Sequence, residues 1–375
     1  MGPLQGVRVV EMAGLAPAPF GAMILADYGA EVIQVKRSGG SGALVPPDGP
    51  LDRGKHTMTV DLKEPEGLAL VHDLVAQADV FIEGFRPGVA ERLGIGPEDL
   101  MRLNPRLVYG RMTGWGQEGP LAPRAGHDIN YIALAGALEP IGRVGERPHA
   151  PLNLLGDFAG GGMLLALGVI TALYERERSG EGQMVDAAMV DGANLLMSFV
   201  HGMHASGLWG NGRGENTLDG GAPFYDTYEC SDGGFVAVGC VEPAFFSALL
   251  IALGLDESSD DVPGQLDFDR WPELRTLIGA RLKAKTRDEW AEVFADSDAC
   301  VTPVLSPWEA HEHPHNQQRQ GFVEVGGLRQ PAPAPRFGRT PNAPPQVMDE
   351  VDLASTLRDW GLGDRIPTPR TTKES

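Results

Sequence analysis

Residues 6–35 read GVRVVEMAGLAPAPFGAMILADYGAEVIQV, and they decide the fold class. Residues 7–10 are a short β-branched run, 20–28 an apolar helix that stops at Gly29, and 31–35 a second strand. The alternation continues with strands over 57–62, 80–82 and 107–112 and a helix over 67–77. Strands alternating with helices in this way build βαβ units and a mainly parallel sheet. Residues 1 to about 115 therefore predict a Rossmann-like α/β half. The dinucleotide signature G-x-G-x-x-G is missing, because the first turn reads Gly14-Leu15-Ala16-Pro17-Ala18-Pro19, which argues against a nicotinamide cofactor.

Further along, 127–205 is strongly helical in texture, with apolar runs over 129–138, 158–174 and 184–200 that predict central packing helices. The runs 220–228 and 234–239 flank an Asp232-Gly233 turn and predict a hairpin. That hairpin opens a smaller α+β domain with helices near 243–253 and 287–295. After residue 325, Pro331, Pro333, Pro335, Pro341, Pro344 and Pro345 mark an extended return strap, followed by a helix over 351–360. The expected organisation is a large domain over 1–205, a small α+β domain over 206–325, and a strap with a C-terminal helix over 326–375 that packs back on the large domain.

With 42% hydrophobic and 22% charged residues, the 375-residue chain is a folded globular protein. Its 31 Lys+Arg against 51 Asp+Glu leave a formal charge of -20, which repels nucleic acid and anionic lipid. Cys230, Cys240 and Cys300 are odd in number and scattered, fitting no disulfide framework and suiting a reducing compartment. The first residues, MGPLQGVRVVEM, lack the basic and apolar regions of a secretory signal. The segment 158–174 falls short of the ~20 apolar residues of a membrane span, and Thr371-Thr372-Lys373-Glu374-Ser375 is not the Ser-Lys-Leu address. A cytoplasmic protein is expected.

Two places carry candidate chemistry. In Gly126-His127-Asp128-Ile129-Asn130-Tyr131 a histidine leaves a Pro- and Gly-rich loop and opens an apolar helix. In the run from Asn153 to Gly162, Asp157 stands at the mouth of the longest apolar helix. Taken singly, Asp157 reads as a helix cap and His127 as a structural histidine. Together, a histidine and a carboxylate at glycine-rich helix starts form a pair able to face a substrate from opposite sides. Glu242, between the strand 235–240 and Pro243, reads as a first-turn carboxylate or as a partner for the imidazole. The run His311-Glu312-His313-Pro314-His315 matches the zinc-protease pattern, yet Pro314 breaks the helix that must hold both histidines on one face. No metal site is expected.

These residues, with Gly14 to Phe20, Met23 to Ala30, Arg53-Gly54-Lys55, Leu152 to Gly162, Asp219 to Tyr225, Ala237-Val238-Gly239 and Asp298 to Leu305, make the chain similar over nearly its whole length to the alpha-methylacyl-CoA racemases of the class III CoA-transferase family. The resemblance implies an isomerase of lipid and fatty-acid metabolism that inverts 2-methylacyl-CoA thioesters by proton transfer through an enolate. No cofactor is implied, CoA being part of the substrate. His127 supported by Glu242 would serve one face, and Asp157 the other. Amides around Asp157 to Gly162 would stabilise the enolate oxygen. The resemblance also implies CoA contacts from Arg37, from Val60, Asp61, Leu62 and Lys63, and from Gly126, Asp128, Ile129, Asn130 and Tyr131, as well as an interlocked homodimer. Arg86 joins these CoA-binding candidates as a cation in a loop at a strand end. Arg53 and Lys55, taken alone, read as solvated surface charges. Two other functions compete: CoA transfer with Asp157 as nucleophile, and acyl-CoA binding without catalysis.

Overall fold

A computed structural model describes residues 2–37, 49–348 and 350–365. The chain forms two compact units, Met1–Ala135 with Pro151–Leu196 and Gln318–Ser375, and Gly136–Ala150 with Met197–Gln317. The first is built on six parallel strands: β1 (Arg8–Met12), β2 (Glu31–Lys36), β3 (Lys55–Thr59), β4 (Val80–Glu83), β5 (Val108–Thr113) and β6 (Met184–Ala188). Their order in the sheet is β3-β2-β1-β4-β5-β6, the doubly wound order in which the chain reverses direction between β1 and β4. All of β4 and all of β5 are buried. Both are thus covered on both faces: Val80, Phe81, Ile82, Val108, Tyr109 and Met112 supply core surface, and the two buried charges, Glu83 and Arg111, pair with each other.

β6 departs from expectation, since 184–200 reads as helix. Gly180, at φ 79°, ends the helix Leu164–Ser179, and the chain then pairs along the open edge of β5 from Tyr109↔Met184 to Thr113↔Ala188. The run Met-Val-Asp-Ala-Ala has no strand periodicity, so the available edge decides its conformation. The helix predicted over 129–138 stops at Leu134. The strand predicted over 57–62 lies at Lys55–Thr59, where Val32↔Lys55 starts its pairing with β2.

The apolar helix runs from Leu154 to Ser179, longer than predicted and long and apolar enough to cross a membrane. Its first ten residues form a π-helix, Leu154–Met163. A β-carbon on Gly162 would lie 2.5 Å from the Pro17 carbonyl oxygen, and one on Gly160 would lie 2.8 Å from the Ala193 amide nitrogen. These glycines let the helix start press against the helices Pro17–Asp27 and Met189–Leu196. Leu165, Ala166, Val169, Ala172 and Leu173 are buried, so one face of the helix serves the sheet.

Charges are also buried in this unit. Lys55 Nζ lies 2.7 Å from Glu11 Oε2 with both side chains fully buried, and it also donates to the Pro19 carbonyl at 2.9 Å. Gln34 donates to Glu11 and to Asp52. Arg53 makes two bonds to Asp27 and donates to Gln330 and the Pro331 carbonyl. Arg53 and Lys55 are thus not surface cations. They are enclosed within this unit, and Arg53 fastens the C-terminal strap to it.

Just before that strap β10 (Phe322–Val325) pairs antiparallel with β11 (Leu328–Pro331) at its start, and both belong to the first unit. The helix Glu350–Asp359 brings Leu353, Leu357 and Trp360 into the sheet's core, and Trp360 donates to Glu31 at 2.9 Å. The predicted last residues, 371–375, lie outside the described residues.

In the second unit β7 (Tyr225–Glu229) and β8 (Phe235–Gly239) form the predicted hairpin, with Tyr225 opposite Gly239, and β9 (Val301–Pro303) adds to β8. Behind this sheet, Phe246, Leu249, Trp271, Ile278 and Trp290 form a separate core. His311 and Glu312 sit in the turn Ala310–Glu312, His313 is extended, and a short helix starts at Pro314. The helix that a zinc-protease motif requires does not form across these residues.

At the ends of β4 and β5, Arg111 bonds Glu83 at 2.9 Å and Glu91 at 2.8 Å. The other Glu83 oxygen accepts from the Phe85 amide at 2.6 Å. Burial pushes the Glu83 carboxyl up from 4.5 to about 7, against the pull of Phe85 and Arg111.

Two outcomes are expected. Lys55→Met strands the buried Glu11 charge and should destabilise the protein by about 3–5 kcal/mol in denaturant melts, whereas the double replacement Glu11→Leu/Lys55→Met should recover most of that loss. Glu83 binds its proton more tightly folded than unfolded. Its contribution is full below about pH 4.5 and is lost as pH rises through about 7. Melts across this range should show a shallower decline for Glu83→Gln than for the parent protein; identical slopes would contradict the assignment.

Candidate active site

In doubly wound sheets, ligands bind beyond the carboxyl ends of the strands at the point where strand order reverses. Here that point lies between β1 and β4, and it opens into a cleft of about 250 Å³. Leu15, Pro17 and Ala18 enter it after β1, Gly84, Phe85 and Arg86 after β4, and Gly114 and Trp115 after β5. Leu15, Pro17 and Ala18, in place of a glycine fingerprint, give this side of the cleft an apolar wall.

His127 and Asp157 both line this cleft. His127 is the N-cap of the helix Asp128–Leu134, and its amide donates to Asn130 Oδ1 at 3.1 Å. Asp157 lies in the first turn of the long helix, its carboxylate accepting from Asn153 Nδ2 at 2.9 Å. Burial raises the Asp157 pKa first; the Asn153 bond lowers it, the Asp128 charge raises it and His127 lowers it, with a net upward shift. A carboxylate raised in this way is a stronger base, and the neighbouring imidazole favours its ionised form.

Tyr131 also lines the cleft. It donates its hydroxyl to the Gly126 carbonyl and stacks edge-on against Trp115 with ring centroids 4.7 Å apart. Burial pushes its hydroxyl up to about 12, so it stays protonated.

Of the residues singled out in the sequence, Arg86, Gly126, His127, Tyr131 and Asp157 come together here. Arg37 is exposed just after β2. Val60 is buried at the end of β3, and Asp61, Leu62 and Lys63 form the turn after it, Asp61 accepting from the Lys63 amide. These five lie outside the cleft lining. Ile129 and Asn130 are exposed on the first turn of their helix, with Asn130 spent on the cap. Asp128 is buried, and its carboxylate accepts from the amides of Gly156 at 2.6 Å and Asp157 at 2.7 Å. The Asp157 amide, expected to stabilise an enolate, is therefore committed to Asp128. Glu242 is exposed in the second unit as the N-cap of the helix Pro243–Ala252.

The sequence reading missed Trp115, Phe85 and Arg124. Gly114-Trp115-Gly116 directly after a predicted strand was the available signal for the first. Among the described residues no cluster of metal-ligating side chains is present.

CoA-transferase family III matches residues 4–348. The chain is 49% identical to the alpha-methylacyl-CoA racemase of Mus musculus over 363 residues, covering 96% of this chain and 93% of the mouse protein. It is also 49% identical to the Homo sapiens alpha-methylacyl-CoA racemase over 342 residues, covering 91% and 88%. A solved CaiB/BaiF family protein from Brucella suis superposes with a TM-score of 0.82 at 26% identity, covering 96% and 99% of the two chains. A full-length match of this kind, on a doubly wound sheet whose switch-point cleft holds the two expected bases, makes the chain a member of CoA-transferase family III.

Proposed function

We propose that the protein is an alpha-methylacyl-CoA racemase, an isomerase that inverts the 2-carbon of 2-methylacyl-CoA thioesters. The observation that carries this reading is the meeting of His127 and Asp157 in one cleft from two separate helix starts, joined to the 49% identity with racemases over most of the chain. One base takes the α-proton, leaving an enolate whose charge spreads onto the thioester oxygen. The other base, in its acid form, returns a proton to the opposite face. The substrate supplies the CoA, and these steps ask for no further cofactor.

Arg86 gives the cleft a cation for the anionic part of CoA. Arg37 and the turn from Val60 to Lys63 extend the CoA contact along the ends of β2 and β3, joined by backbone of the segment Gly126 to Tyr131. Glu242 is assigned to stabilising the imidazolium of His127.

The same reading includes a homodimer. Met163 is 56%, Leu167 60%, Tyr174 68% and Leu195 62% exposed on two packed helices, apolar side chains that a partner copy would cover. Cys230 and Cys240 are buried free thiols, in keeping with the cytoplasm.

The test is hydrogen exchange. In deuterated water the wild-type protein should wash deuterium into the α-position of a 2-methylacyl-CoA and invert it with no carboxylic acid present. A CoA transferase would need that acid as acceptor, and a binding protein would do neither. His127→Asn and Asp157→Asn should each lower racemisation about 10²–10⁴-fold. Each should still exchange the α-hydrogen of one enantiomer, and the enantiomer should differ between the two variants. Near-wild-type racemisation in either would remove that residue from the mechanism.

A further inference from the structure

Asp128 is adjacent in sequence to His127, but its side chain points to the other base. It is only 6% exposed, and Oδ2 accepts from the amides of Gly156 at 2.6 Å and Asp157 at 2.7 Å. Among the described residues no hydrogen bond reaches its buried Oδ1. The two segments that supply the bases are 28 residues apart at this contact. The contact is tight: a β-carbon on Gly156 would lie 2.5 Å from Asp128 Oδ2, so only glycine leaves room for the carboxylate.

We propose that Asp128 is a positioning residue for the reaction, a carboxylate clamp that fixes the helix start carrying Asp157 in register with His127. This rests on the racemase reading above. Two amides gripped by one ionised carboxylate are charge-assisted bonds, short and strongly directional. Proton transfer on opposite faces of one carbon tolerates little misplacement, and an error of about 1 Å can cost about 10²-fold. The same negative charge acts on Asp157 through space. It faces Asp157 from the helix Asp128–Leu134, as does His127 at that helix's N-cap; Asn153 faces it from the residue before its own helix. Tyr131, Arg86 and Arg124 line the same cleft. With Asp128 ionised, Asp157 is held as a stronger base than Asn153 and His127 would leave it.

A purely structural cap would affect both faces of the reaction alike, whereas the clamp acts on one. Asp128→Asn keeps an oxygen to accept the two amides and removes the charge. It should lower α-deuterium exchange for the enantiomer served by Asp157 at least 10-fold, leave exchange for the enantiomer served by His127 within about threefold, and leave the KM for that second enantiomer unchanged. Gly156→Ala displaces the carboxylate without altering Asp128 and should give the same one-sided loss. A readout independent of turnover is the titration of the Asp157 carboxyl by carbon NMR, which should move to lower pH in Asp128→Asn. Equal loss for both enantiomers in the two variants, or an unmoved Asp157 titration, would overturn the proposal. If the wild-type protein exchanges neither enantiomer, the racemase reading fails and the positioning role falls with it, while a shifted titration would still report the Asp128–Asp157 coupling.

Discussion

The reversal of strand order between β1 and β4 is the constraint on which the rest of the first unit depends. β1 pairs with β2 on one side and with β4 on the other, so the segments leaving the carboxyl ends of β1 and β4 depart in opposite senses. A crevice between them is a geometric consequence. The strand-to-helix turns must then furnish its walls, and this chain fills the β1 side with Leu15, Pro17 and Ala18 and the β4 side with Gly84, Phe85 and Arg86. The two candidate bases come from later in the chain and need their own anchorage over this crevice. They obtain it from the helix starts at 127–128 and 154–157, tied together through Asp128.

Buried charge does different work in different places. Lys55 with Glu11 and Arg53 with Asp27 are closed pairs with their hydrogen bonds satisfied inside the unit, and Arg53 also secures the strap through Gln330 and Pro331. Glu83 and Arg111 secure the loop that presents Arg86, since Glu83 holds the Phe85 amide and Arg111 reaches across to Glu91. Asp157 is half-buried beside a like charge and opens on the cleft, an arrangement that strengthens a base instead of neutralising it. For a protein of net charge -20 that is proposed to bind a polyanion, placing an exposed arginine at the switch point makes local potential, not overall charge, decide recognition.

Local sequence determined much of this architecture. The β-branched runs at 7–10, 31–35 and 80–82 have one favourable conformation, and Gly29 and the Asp232-Gly233 turn fix where the chain reverses. His127 and Asp157 were legible as a pair because each lies beside glycine-rich backbone at the start of an apolar helix, where caps and amide donors gather. Tertiary structure decided what local patterns leave open. The run 184–188 became β6 because β5 offered an unpaired edge, an energy available only after the sheet forms. Arg53 and Lys55 became internal ions because Asp27 and Glu11 come to lie beside them, and a cation's sequence neighbours do not reveal whether a carboxylate waits across the sheet. Asp128 shows the same limit in the site itself. Beside His127 in sequence it reads as one more first-turn carboxylate, and only the fold, by bringing the amides of residues 156 and 157 within bonding distance, directs its charge to the opposite base.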